Sequence, residues 1–147
     1  MKQIKEFFRL SILVAVVSLC ALPAMGQTGW ETIVNDEVST ISYSTKITDT
    51  QSGNHIVWVK TRFKTADWQQ YLTRQSGAKR RVVSTKTKAM YDENYNYVMV
   101  RDVYGYDKNG RVVFHTGDDT SAGWGPVNAS DPLGIVGEYL SNQNMEY

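Results

Sequence analysis

Hydrophobicity in this chain alternates with a period of two, over runs that recur too regularly to be helical. Between residues 54 and 64, Val57, Val59, Thr61 and Phe63 fall on one side, while Ile56, Trp58, Lys60, Arg62 and Lys64 fall on the other. Successive side chains of an extended strand point to opposite faces, so the first set is the core side and the second the water side. Between 81 and 90 the same rule sets Val83, Thr85, Thr87 and Ala89 against Val82, Ser84, Lys86 and Lys88. Four further runs rich in β-branched and aromatic residues span 30–34, 40–44, 95–106 and 111–116. The breaks between runs include Asn35-Asp36, Asp92-Glu93-Asn94 and Asp107-Lys108-Asn109-Gly110. The Asn-Gly pair suits the positive φ angles of a hairpin turn. Together these features predict an antiparallel sheet of about six strands.

The fifth run breaks the simple pattern. Val98 and Val100 lie on one side while Tyr97, Met99 and Val103 lie on the other, so something besides the sheet must cover one face. The C-terminal segment supplies it. Asp131 is a helix cap, Pro132 suits the first helical position, and Leu133, Val136 and Leu140, with Ile135 and Tyr139 alongside, repeat at helical spacing. A helix of about ten residues containing Gly134 and Gly137 does not persist alone in water, because each glycine costs about 1 kcal/mol and short helices are marginal. It must dock on the sheet, and the glycines permit a close approach. A second short helix is predicted over 66–73, capped by Thr65, with Trp68, Tyr71 and Leu72 on one side. The fold class is therefore α+β, a single antiparallel sheet with a C-terminal helix packed on one face.

Residues 1–26 have the form of a secretory signal peptide. Lys2, Lys5 and Arg9 precede an apolar run over 10–22, which ends in Ala24-Met25-Gly26. The run is shorter than the roughly 20 apolar residues that span a bilayer, so no transmembrane segment is expected after cleavage. Leu19 before Cys20 argues against lipidation, since a small residue belongs there. Residues 27–147 then form one exported domain, periplasmic, surface-bound or secreted. Its sole cysteine is lost with the leader, so there is no disulfide, and a domain of this length can be stable on its core alone. Removing Lys2, Lys5, Arg9 and Glu6 leaves 13 basic and 14 acidic residues. That near-neutral balance gives no field for nucleic acid.

Enzymatic signatures are missing from the sequence. No nucleophile elbow, phosphate loop or dinucleotide fingerprint occurs, and His55 and His115 lack the spacing of a metal site. Asp118-Asp119 reads as a solvated turn. No catalytic residue, cofactor or metal is expected. The basic stripe carries more information. Lys60, Arg62 and Lys64 share a face, Lys86 and Lys88 join them if the third and fourth strands pair, and Lys79, Arg80 and Arg81 lie at one end. Trp58 on that face is expected either as a contact anchor or as a residue lying under the docked helix. Such a surface attracts acidic polysaccharide, anionic lipid or an acidic protein, although lysines on a strand also serve simply to block edge pairing.

Trp30-x-x-Ile33, Ser42-Tyr43, Val57-Trp58-Val59-Lys60 and Trp124-x-Pro126 ahead of the last helix resemble the surface-adhesin protein E family over most of residues 30–140. The resemblance implies a sheet of about six strands under a C-terminal helix, and a protein binding host extracellular-matrix and serum proteins such as vitronectin and laminin. Family members often carry two cysteines joining helix to sheet. Here the regions 90–94 and 141–147 have none, so docking rests on Leu133, Val136, Tyr139 and Leu140. The expected function is a non-enzymatic binding module acting through Lys60, Arg62, Lys64, Lys79, Arg80, Arg81, Lys86, Lys88, Trp58 and Trp124, with a host protein or an acidic polysaccharide as partner. The alternative is a small-ligand carrier or inhibitor with a pocket between helix and sheet, lined by Trp58, Trp124 and Tyr139.

Overall fold

A computed structural model describes residues 29–145; the leader expected over 1–26, with Cys20, lies outside them. In chain order the described elements are β1 Trp30–Asn35, β2 Ser39–Ser44, β3 Thr48–Asp49, β4 His55–Phe63, α1 Ala66–Ser76, β5 Ser84–Tyr91, β6 Tyr97–Tyr106, β7 Val112–His115, β8 Gly125–Pro126 and α2 Pro132–Asn144. The architecture is α+β, with one antiparallel sheet and a C-terminal helix across one face. Six strands form a meander in the order β1-β2-β4-β5-β6-β7. Two strands of two residues each, absent from the sequence reading, extend it: β3 pairs with β4 and β8 with β6.

Three aspartates fix the hairpins. Asp36 Oδ1 accepts from the N–H groups of Val38 and Ser39, Asp92 Oδ1 from those of Asn96 and Tyr97, and Asp107 Oδ1 from those of Asn109 and Arg111. Each carboxylate replaces backbone bonds that the turn cannot make itself. The Asp107 turn places Gly110 at φ +77°, whereas Asn109 is not left-handed, so of the Asn-Gly pair only the glycine takes the positive φ that the sequence suggested for both.

The core lies on the face predicted for β4 and β5. Ile41, Tyr43, Val57, Val59, Ala89 and Tyr91 pack beneath Val136 and Leu140 of α2. On β6 the alternation is interrupted, because an extra residue lies between Val100, opposite Ala89, and Asp102, opposite Lys88. This bulge turns Val103 to the same side as Val98 and Val100, opposite Thr87. The two-sided apolar character expected for this strand is thus a register shift read without its bulge. Residues 81–83 also differ from expectation. They precede β5, and Val82, which alternation assigned to the basic face, is fully buried with its N–H donating to Thr73 Oγ1 at 3.0 Å.

Helix α2 starts as predicted, with Asp131 accepting from Gly134 N–H at 2.8 Å and Pro132 in its first turn, but it runs for 13 residues. Its two glycines face inward. A Cβ on Gly134 would lie 1.5 Å from the Asn128 carbonyl oxygen, and one on Gly137 would lie 2.8 Å from the Tyr91 ring. Two tyrosine hydroxyls, of Tyr91 and Tyr139, fasten this helix to the sheet, and a third, of Tyr43, shares an acceptor with one of them. The Tyr91 hydroxyl donates to the Leu133 carbonyl at 2.5 Å, and those of Tyr43 and Tyr139 both donate to Glu31, at 2.6 and 2.8 Å. Burial, reinforced by Asp131 for Tyr91 and by Glu31 for Tyr43, pushes both hydroxyl pKa values above the ordinary tyrosine range.

Helix α1 runs to Ser76, three residues beyond expectation, and ends on Gly77 in the left-handed region. Thr65 caps it as predicted, yet it buries no residue. Trp68 and Tyr71 stack edge to face with centroids 5.8 Å apart and remain about half exposed.

Candidate binding face

Among the described residues, no helix covers the reverse of the sheet. Lys60 of β4 and Lys86 of β5 stand directly opposite each other, flanked by the pairs Trp58↔Lys88 and Arg62↔Ser84. The antiparallel register therefore places Trp58, Lys60, Arg62, Lys86 and Lys88 on one surface. Two like charges directly opposite each other destabilise a sheet by a few tenths to about 1 kcal/mol. Aromatic rings offset part of that cost. Lys60 Nζ sits 3.8 Å from the Trp30 ring centroid, and Lys86 Nζ sits 5.0 Å from Trp58 and 5.8 Å from Trp30. Partial desolvation, followed by the Lys86 charge, lowers the Lys60 pKa from the ordinary lysine range.

The aromatic row continues across the sheet. Trp58 and Tyr104 have centroids 6.3 Å apart, and Tyr104 stacks on His115 at 3.9 Å. His115 Nε2 lies 2.8 Å from the buried Asp102 carboxylate, which also accepts from Thr116 Oγ1. Tyr104 and Asp102 were not singled out from the sequence, and Trp30 and His115, noted there for the family resemblance and as a rejected metal ligand, were not assigned to this face. Trp30 lies on a strand whose register shifts between Thr32 and Val34, and Tyr104 lies beyond the β6 bulge, so alternation alone could not assign their faces. The detectable signal was the pair Asp102 and Tyr104, two apart on β6.

The remaining sequence candidates are distributed unevenly. Lys88 Nζ pairs with Asp118 at 3.4 Å, and Arg101 Nε pairs with the same carboxylate at 3.2 Å. Lys64 lies one residue beyond β4 and serves the β1–β2 turn, donating to Asn35 Oδ1 and to the Asp36 carbonyl, both at 2.7 Å. Lys79, Arg80 and Arg81 are exposed in the connection from α1 to β5, off the sheet face, and Arg80 Nε lies 3.6 Å from Asp107. Hydrogen bonds from the Arg111 N–H and then the Asn109 N–H, with Arg80 and Arg111 nearby, hold the Asp107 carboxyl below its ordinary range. Trp124 is in the segment leading to β8 and is largely exposed.

Trp58, Trp124 and Tyr139 are not brought together as a pocket. Trp58 is on the face opposite α2, where its ring meets Lys86 and Tyr104, whereas Tyr139 packs on Tyr43. A different groove, of about 490 Å³, opens between the start of α2 and the core face, lined by Thr61, Thr85, Thr87, Phe63, Val100 and Leu133 among others. His55 and His115 serve separate local networks. His55 bridges Asp49 and the Glu93 carbonyl and stacks on Tyr95. Among the described residues no group of three or more His, Cys, Asp or Glu side chains could hold a metal ion. No described helix is long and apolar enough to cross a membrane.

No protein-family model matches this chain, and comparison with curated proteins and with solved structures gives no match either.

Proposed function

We propose that this chain is an exported, non-enzymatic binding module, as the resemblance to surface-adhesin protein E implies, and that its uncovered sheet face contacts an acidic partner. A host matrix or serum protein and an acidic polysaccharide both fit that description. The observation that supports this most is the cross-strand pair Lys60↔Lys86 held among indole rings. A sheet face needing only solubility gains nothing from setting two lysines opposite each other. Rings that restrain ammonium groups reduce the side-chain entropy lost when an anion binds.

The test compares capture by wild type with capture by the Lys60→Glu/Arg62→Glu/Lys86→Glu triple variant, using matrix proteins and sulfated glycans at low and moderate salt. Binding to wild type that weakens with salt and is lost in the variant, with unchanged circular dichroism, supports the face. Capture by the folded variant equal to that of wild type removes it.

A small-ligand carrier is a second reading, favoured by the groove at the start of α2. The side chains of Thr61, Thr85 and Thr87 line it. A neutral ligand carrying hydrogen-bonding groups suits it, and salt-insensitive binding abolished by Thr85→Val would identify that site.

A further inference from the structure

The uncovered face leads into a second feature at the end of the sheet. A groove of about 940 Å³ lies beyond Arg62 and Ser84, bounded by the connection into β5 and the β6–β7 turn. Its floor includes Phe63 and Val83, and five basic side chains line it against one acid, Asp107. Two of the five are engaged: Lys64 by Asn35 and Asp36, and Arg80 by Asp107. Arg62, Arg81 and Lys108 have no ion-pair partner among the described residues.

Arg62 belongs to both features. It follows Lys60 by two residues on β4, which sets the two about 6.6–6.8 Å apart along the strand on the same side. Unpaired cations therefore run continuously from Lys60 and Lys86 through Arg62 to Arg81 and Lys108. At the opposite end of the face, Lys88 is already neutralised by Asp118. The track thus has a direction, from the aromatic row into the groove.

Resting on the proposed binding role of the face, we infer that the site takes a linear sulfated polysaccharide, which lies along β4 and inserts one end in the Arg62-Arg81-Lys108 groove. The groove's volume is at the scale of a small-ligand pocket and accommodates a few sugar units, not a folded protein surface. An extended acidic peptide is disfavoured because both edges of β4 and β5 are paired, leaving no strand edge to satisfy its backbone. Trp58 and Tyr104 instead offer the flat apolar surface with polar tips that suits a sugar ring.

The experiment titrates the mature domain with a length series of heparin fragments, from disaccharide to decasaccharide. The proteins are wild type, Arg81→Glu/Lys108→Glu and Lys60→Glu/Lys86→Glu. For wild type, affinity should rise at least tenfold between the shortest and longest fragments. In Arg81→Glu/Lys108→Glu the gain in affinity with fragment length should disappear; in Lys60→Glu/Lys86→Glu all fragments should bind weakly. A full length gain in Arg81→Glu/Lys108→Glu overturns the groove while leaving the face intact. Fragment binding that neither variant changes, or no binding to wild type, overturns both. Competition by polyglutamate as effective as that of an equally charged heparin fragment overturns the choice of polysaccharide and assigns the track to acidic protein.

Discussion

On the helix side of β4 and β5, Val57, Val59, Ala89 and Tyr91 are each 1% exposed or less, while on the other side of the same strands Lys60, Lys86 and Trp58 meet solvent. One face has been closed by a helix fitted at the scale of single atoms. The other carries a like-charge pair that no packing requirement explains. Strand alternation creates both from one stretch of sequence, so the faces can be perturbed almost independently. Mutations on the closed face should report in stability, and mutations on the open face in binding.

Gly134→Ala should break this comparison most severely. The new Cβ meets backbone, the Asn128 carbonyl, which cannot rotate away. A loss of about 4 kcal/mol or more is expected in urea unfolding, within the range of gross core disruption. Gly137→Ala pushes against a side chain, Tyr91, and should cost about 1–3 kcal/mol. Tyr91→Phe leaves the Leu133 carbonyl without its donor and should cost about 1–2 kcal/mol.

The tyrosine seam also gives the closed face a pH signature. Burial raises the Tyr91 hydroxyl pKa above its value of 10.0 in an unfolded chain, so the folded state holds that proton more tightly. The associated stability is complete below pH 10 and declines as pH rises past it, by about 1.4 kcal/mol per unit for each such group. The tyrosine contribution to thermal melts should therefore be constant from pH 8 to 10 and decline from pH 10 to 11, more steeply in wild type than in Tyr91→Phe.

The smallest stability change belongs to the open face. Lys86→Glu replaces repulsion by attraction opposite Lys60 while losing its contacts with Trp30 and Trp58, so unfolding free energy should shift by no more than about 0.5 kcal/mol. A change above 2 kcal/mol would mean that this pair is structural and that the two faces are not independent.

Strands and their faces were legible wherever alternation ran unbroken, as it does from Val57 to Phe63 and from Ser84 to Ala89. The cap at Asp131 and the docking of α2 were legible as well, because a short helix with two glycines has no other way to persist. Reading failed where geometry departs from the period of two. The β6 bulge reversed the side assigned to Val103, and the residues before β5 buried Val82. Two-residue strands such as β3 and β8 carry no periodic signal. For the candidate site, the lysines were found but their partners were not, since the register of β1 and the place of Asp118 depend on contacts distant in sequence. The tyrosine seam was hidden for the same reason, because Tyr139 and Glu31 are 108 residues apart.

Seating the final helix through glycine contours and phenolic hydrogen bonds leaves its docking without any disulfide. Residues 29–145 contain no cysteine, so their fold requires neither an oxidant nor a disulfide isomerase to form, and a reductant or thiol-blocking reagent finds nothing there to attack. The same architecture is therefore attainable in oxidising and reducing surroundings alike.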